Sequence, residues 1–159
     1  MKVEPFWTDI TTPVGKMIVF ADDRAVTRVE LSAKLRPSGK PKVNDVLKRA
    51  EKQLAEYFSG QREDFDLPLA PAGTDFQMRV WKALEKIPFG QTRTYGQIAK
   101  TAKSPDASRA VGAACGRNPL AILIPCHRVV GSSGSLTGFG GGLAMKEWLL
   151  KHEGALIEG

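Results

Sequence analysis

Ile124-Pro125-Cys126-His127-Arg128-Val129-Val130 is the stretch around which the chain is organised. It sets a cysteine beside a histidine, after the apolar run Leu120 to Ile124 and before a loop with six glycines between Gly131 and Gly142. Free cysteine is among the most buried residue types, and by itself it signals only packing. A histidine next to it adds a base or imidazolium partner, and a thiol beside such a group is drawn toward thiolate, the nucleophilic form. Pro125 removes a backbone donor and fixes one dihedral, which favours a shaped segment over a regular central strand.

A chain of 159 residues and 17.3 kDa suits one domain or two small lobes, and 42% hydrophobic residues supply a core. Cys115 and Cys126 are the two cysteines, too few for a disulfide scaffold. With two histidines and no C-x-x-C or H-x-x-x-H spacing, a structural zinc site is not expected, nor any other metal. The first residues lack the apolar core of a signal peptide, and no run reaches membrane-spanning length. A reducing, cytoplasmic setting is expected, where a reactive thiol survives. Residues 1–73 carry twelve basic and eleven acidic side chains, residues 74–159 eleven and six. That asymmetry fits either a polyanion partner for the second half or a basic surface kept for solubility.

In chain order, Lys16–Phe20 and Ala25–Leu31 read as strands around an Asp22-Asp23 turn. Residues 32–41 read as a loop. Val43 to Phe58 is an amphipathic helix with Val43, Val46, Leu47, Ala50, Leu54, Tyr57 and Phe58 on one face and Gly60 as its stop. Nothing in 1–72 carries chemistry; Trp7, Tyr57 and Phe58 read as core. Leu67 to Gly73 is the expected linker. Thr74 caps a helix from Asp75 to Ile87, with Phe76, Val80, Trp81, Leu84 and Ile87 as its buried stripe. The last helix spans Leu143 to Lys151, with Leu143, Trp148 and Leu149 apolar. Lys146 is read as a phosphate contact or as solvated.

From Thr94 to Gly116 the pattern is helix, break, helix, with Pro105 near the first position of a second helix, Asp106 to Cys115. Such a pair reads as a helix-turn-helix. In the second helix Ser108, Ala110, Gly112, Ala113 and Ala114 are small, and Arg109 is the one long side chain. A helix this bare has little with which to read major-groove edges, and it suits close approach to the minor groove.

Pro125-Cys126-His127-Arg128-Val129 resembles the active-site signature of the O6-alkylguanine-DNA alkyltransferases. Gly73-Thr-Asp-Phe-Gln-Met-Arg-Val-Trp81, Ile87-Pro-Phe-Gly90, Thr94-Tyr-Gly-Gln-Ile-Ala99, Ser108-Arg-Ala-Val-Gly112, Arg117-Asn-Pro119 and Gly141-Gly-Leu-Ala-Met-Lys-Glu-Trp148 resemble that family in the same order and spacing. The likeness covers 73–154 and is looser over 1–72. It implies an α+β fold: an N-terminal ribonuclease-H-like α/β supporting lobe over 1–72, and a mostly helical DNA-binding and alkyl-transfer lobe with a helix-turn-helix over 73–159. Some members carry zinc in the first lobe; here no Cys or His precedes Cys115.

The resemblance implies direct-reversal repair, in which an alkyl group on guanine O6 in duplex DNA passes irreversibly to Cys126 after the base is flipped out. Cys126 is then the nucleophile and His127 its base, oriented by Glu153. Tyr95 lies at the pocket mouth, crowding a backbone phosphate and offering its hydroxyl to the guanine ring. Asn118 bonds backbone across the turn between the DNA-binding helix and the thiol segment. The carbonyls of Cys126 and Val129 accept from the exocyclic amine, Phe139 lines the pocket, and the Gly140 N–H points at O6. Gly140 stands where other members have serine, which puts tolerance for bulky adducts in question. Arg109 fills the gap left by the flipped base, with Ser108 and Ala110 beside it on the DNA. The expected partner is double-stranded DNA carrying O6-alkylguanine, with O4-alkylthymine a further candidate, bound in the minor groove without sequence preference. The thioether product is inert, so the protein is expected to act once, as a monomer, without cofactor or membrane. A binding-only relative would lack the cysteine. A cysteine hydrolase built on Cys126, His127 and Glu153 leaves the helix pair unexplained, and a transcription regulator would need a helix better furnished for reading sequence.

Overall fold

The computed structural model describes residues 4–32 and 36–156. The chain divides into two compact units, Met1–Pro71 and Ala72–Gly159. The first is a small sheet with one long helix and the second is mostly helical, an α+β architecture.

In the first unit β1 (Phe6–Thr12), β2 (Gly15–Ala21) and β3 (Val26–Glu30) form an antiparallel meander. Gly15 sits at φ 114°, in the left-handed region open to glycine, which lets the first turn close. The second turn is held by the Asp22 carboxylate, which accepts from the backbone N–H groups of Arg24 and Ala25, each at 2.8 Å. Trp7, Ile18 and Phe20 cluster as core, and α1 (Asp45–Phe58) lays Leu47, Ala50, Leu54 and Tyr57 against the sheet. The helix starts at Asn44, whose side chain accepts from the Leu47 N–H at 3.0 Å. Val43 therefore precedes the cap and is exposed, not part of the buried face. Of the loop expected over 32–41, residues 33–35 lie outside the described residues. The stretch expected as the linker is hydrogen-bonded to β3 at its start: the Val26 N–H donates to the Pro68 carbonyl and the Ala70 N–H to the Val26 carbonyl, each at 2.9 Å.

In the second unit α2 (Asp75–Glu85) opens with a capping box between Thr74 and Gln77. It ends two residues before Ile87, which is buried in the turn that follows. β4 (Arg93–Thr94) leads directly into α3 (Tyr95–Thr101), which Thr94 and Gln97 cap in the same way. α4 is Ser108–Gly116. Pro105 does not open it. The Ala107 N–H bonds the Ser104 carbonyl at 2.9 Å, so a turn holds Pro105 and the helix begins three residues later. β5 (Val129–Val130) runs parallel to β4, pairing Arg93 with Val129 and Thr94 with Val130. α5 (Leu143–His152) closes the unit.

Trp81 joins two of these helices. Its indole N–H donates to the Ala114 carbonyl at 2.9 Å in the buried interior, tying α2 to α4. A Cβ on Gly73 would stand 2.5 Å from the Trp81 ring, so the chain passes over the indole only as glycine. Trp81→Phe removes one of the two donors to that carbonyl, the Arg117 N–H at 3.1 Å remaining, and is expected to lower unfolding stability by about 0.5–1.5 kcal/mol, read as a reduced midpoint in urea. An unchanged midpoint would show that the bond is not what holds the two helices.

Candidate functional site

The Cys126 segment is shaped from both ends. Before it, Leu120 to Ile124 folds back on itself, with the Ile124 N–H on the Leu120 carbonyl at 2.8 Å. Ile122 sits at φ 74°, which a β-branched residue rarely adopts. Asn118, just past α4, braces this turn: its Oδ1 accepts from the Leu120 N–H at 2.9 Å and its Nδ2 donates to the Ile124 carbonyl at 2.8 Å. Cys126–Arg128 then makes one 3-10 turn that runs into β5. Because β5 pairs with β4, Tyr95 at the head of α3 is brought to the same place.

Glu153 sits at the C-terminal cap of α5 and is buried. His127 Nε2 lies 2.8 Å from its Oε2; Arg128 donates through Nε to Oε1 at 2.7 Å and through Nη2 to Oε2 at 3.0 Å. Arg128 Nη1 also donates to the Ile87 carbonyl at 2.7 Å. Burial alone would push the Glu153 carboxyl up, but its bonds to His127 and Arg128 outweigh this and hold it down at about 2. An ionised carboxylate only accepts, so Nε2 of His127 carries the proton and Nδ1 is the acceptor. That Nδ1 is buried and has no hydrogen-bond partner among the described residues. Burial lowers the His127 pKa against the pull of Glu153, so the ring rests neutral, as a base.

Cys126 departs from the expectation of a shift toward thiolate. Burial pushes its thiol up; the Asn118 hydrogen bond and the Lys146 charge oppose this without overcoming it. It therefore rests as a thiol and needs a base to react. The thiol borders a cavity of about 230 Å³, together with Tyr95 from α3, Cys115 and Gly112 from α4, and Phe139 and Gly140 from the glycine-rich loop. That is below the roughly 300–1,000 Å³ of drug-sized sites and suits an object nearer a single base. The Tyr95 hydroxyl is bonded to the Thr137 hydroxyl, and burial raises its pKa, so it is a neutral phenol.

Of the other expected residues, Phe139 and Gly140 line the cavity, whereas Val129 is fully buried behind it. The carbonyls of Cys126 and Val129 already accept one bond each, from the Val129 N–H and from Lys146 Nζ at 2.6 Å. Each keeps a second lone pair. Ser108, Arg109 and Ala110 stand apart from the cavity on the exposed face of α4, while Val111 and Ala114 pack inward. Lys146 is neither a phosphate contact nor solvated. It is 1% exposed, with Nζ on the carbonyls of Val129 and of Thr137, the latter at 3.2 Å. Leu143, one of the apolar residues of the last helix, is half exposed at the start of α5.

Arg128, Lys146, Thr137 and Cys115 were not singled out from sequence for this site. A signal for one of them was present: Lys146, Leu149, Leu150 and Glu153 follow the i, i+3, i+4, i+7 spacing of a buried helical stripe, with a charge at each end.

The low carboxyl of Glu153 and the neutral imidazole of His127 mean that the folded state holds fewer protons than the unfolded chain. Both contribute stability that is present at neutral pH and lost on acidification. His127's share fades as pH falls below 6.5; Glu153's fades between 4.5 and about 2. The latter is on the order of 3 kcal/mol. In Glu153→Gln that acid limb should be missing from unfolding free energies measured between pH 7 and pH 2.5. A limb as steep as wild type would show that the carboxylate is not held as described.

Residues 75–155 match the family model described as 6-O-methylguanine DNA methyltransferase, DNA binding domain, and residues 6–71 match its ribonuclease-like domain. The methylated-DNA–protein-cysteine methyltransferase of Methanosarcina acetivorans is 43% identical, with 94% of this chain and 99% of that protein aligned. The constitutive enzyme of that name from Bacillus subtilis is 42% identical over 93% of this chain and 94% of its own. The crystal structure of Mycobacterium tuberculosis OGT in complex with DNA superposes with a TM-score of 0.86 at 42% identity, covering 93% of this chain and 92% of that one.

Proposed function

The chain belongs to the 6-O-methylguanine DNA methyltransferase family, and on that premise we propose that it repairs DNA by direct reversal, moving the alkyl group from O6 of a guanine in duplex DNA irreversibly onto its own Cys126. The observation that carries this is the charge-fixed base behind the thiol. An ionised Glu153, doubly bound by Arg128, holds the proton on His127 Nε2 and leaves Nδ1 as an acceptor with no partner among the described residues. Cys126 is the next residue and borders the cavity.

His127 Nδ1 takes the thiol proton through a bridging water, because side chains of sequence neighbours diverge. The sulfur attacks the alkyl carbon in line; an S–C bond forms as the C–O6 bond breaks. The departing guanine gains a proton on its ring, assisted by the neutral Tyr95 hydroxyl. The Cys126 and Val129 carbonyls take the exocyclic amine on their remaining lone pairs. Phe139 lines the pocket and the Gly140 N–H faces O6; a Cβ at Gly140 would meet nothing within 4 Å, so serine would also fit there. A thioether is a poor leaving group and the cavity holds no means to hydrolyse it, so each molecule acts once, without cofactor.

α3, the turn and α4 serve as the helix-turn-helix. Its exposed small face, Ser108 and Ala110 around Arg109, enters the minor groove without sequence preference. Arg109 has no hydrogen-bond or ion-pair partner among the described residues, and it fills the stack where the guanine is flipped out. Residues 73–159 carry the chemistry and residues 1–72 support them. The protein works as a monomer in the cytoplasm, where reducing conditions preserve the thiol; no described helix is long and apolar enough to cross a membrane.

Incubation with a duplex carrying one O6-methylguanine should add a single methyl to the Cys126 peptide, saturating at one per protein by intact and peptide mass. Cys126→Ala should lose transfer and keep DNA binding. No adduct with tight binding retained in the wild type would make this a binding protein only. Arg109→Ala should slow repair in duplex DNA at least tenfold more than reaction with free O6-benzylguanine, on the order expected for losing a base-flipping wedge. Equal slowing of both would remove Arg109 from the flipping step.

A further inference from the structure

α5 buries two charges, and only one of them has a partner of opposite sign. Glu153 is matched by Arg128. Lys146, two turns earlier on the same buried face, is as deeply buried, yet its Nζ meets two neutral carbonyls, Val129 and Thr137, and no carboxylate among the described residues. Two of its three N–H donors are used. Burying an ammonium without a counter-charge is unfavourable by several kcal/mol, and a methionine or leucine would fill the volume without that penalty.

The charges around the sulfur show what the ammonium faces. From the thiol's own segment come His127, neutral, and Arg128, cancelled by Glu153 of α5. From α3 comes the Tyr95 phenol, and from α4 the Cys115 thiol, which burial and the neighbouring Cys126 push up to about 12. Asn118 is neutral. With Arg128 cancelled, Lys146 is the cation left facing the sulfur; burial lowers its pKa, and negative charge on Cys126 or Cys115 raises it. Its field acts on Cys126 and Cys115, and theirs on it. Of these groups, Cys126 is the one the transfer requires to become an anion.

We propose that Lys146 is a positioning residue whose buried ammonium is the counter-charge for the Cys126 thiolate during transfer, placed by its bonds to the Val129 and Thr137 carbonyls. This deepens the alkyl-transfer reading and rests on it for the identity of the reaction. The Val129 bond fixes the ammonium to the strand that leaves the nucleophile. The Thr137 bond fixes it to the loop whose hydroxyl holds Tyr95. The sulfur's negative charge thus forms beside a cation that is already desolvated and needs no reorganisation.

The test uses iodoacetamide, which alkylates the thiolate and contains no base, so it reads the thiol whether or not the protein repairs DNA. Peptide mass assigns the rate to Cys126. In Lys146→Gln, which can still donate to a carbonyl but is uncharged, the pH midpoint of Cys126 alkylation should rise by about one pH unit, and the rate at pH 7 should fall about tenfold. Methyl transfer from duplex DNA and from free base should fall by the same factor, with DNA affinity unchanged. Lys146→Arg, keeping the charge, should restore the midpoint. An unchanged midpoint in Lys146→Gln, or an Arg variant that titrates like the Gln variant, overturns the proposal. A third measurement needs no change at position 146. The Lys146 Cε resonance, in protein labelled with ¹³C-lysine, should titrate at lower pH in Cys126→Ala than in wild type, because coupling between two sites is reciprocal. Identical titrations overturn the proposal. A raised midpoint in Lys146→Gln from a wild type that takes no methyl from DNA would leave the charge pairing standing and remove the repair function.

Discussion

A buried carboxylate with two cationic or proton-bearing partners organises this protein's second unit. Glu153 would be intolerable alone in that interior. Bound by Arg128 on both oxygens and by His127 on one, it is ionised at neutral pH. Because Arg128 also reaches the Ile87 carbonyl, the same charge ties the end of α5 to the turn after α2 and to the thiol segment between them. The ring of His127 inherits its tautomer from this arrangement, and the tautomer decides that the nitrogen left over is an acceptor.

The thiol is correspondingly not stored as an anion. Burial keeps Cys126 protonated, which in the proposed single-use transfer would protect the sulfur from reacting with whatever reaches it. On the proposed reading, activation is assembled from parts held separately: a neutral imidazole to take the proton, a phenol fixed to Thr137, and an ammonium fixed to the backbone. Each is held by a residue that does no chemistry. α5 supplies the charges at both ends of one buried stripe, with Leu149 and Leu150 packed between them.

The opposite face of the site is made by what is missing. α4 exposes small side chains around Arg109 and packs only Val111 and Ala114 inward. Its attachment to the rest depends on α3 and on the Trp81 indole bond to Ala114, so the helix presents almost bare backbone outward without losing its place. Asn118 then carries the chain from α4 to the thiol through a turn strained at Ile122.

Much of this was legible in the order of residues. Strands, turns and helices follow from hydrophobic period, from the Asp22 turn and from the Thr74 and Thr94 caps, because those interactions join residues a few positions apart. The pairing of a cysteine with a histidine, the bare α4 and the family-like blocks are likewise written in the chain. What tertiary structure alone decided is charge and proximity. From sequence Lys146 read as a phosphate contact or as solvated, and Arg128 and Cys115 had no role of their own; the first two are buried against carbonyls and Glu153, and the third lines the cavity. Cys126 was expected to lean toward thiolate and rests as a thiol. The physical reason is common to all four. Whether a group is ionised, partnered or reachable depends on how much water the fold removes and which distant residue it brings to within 3 Å, and local sequence carries neither quantity.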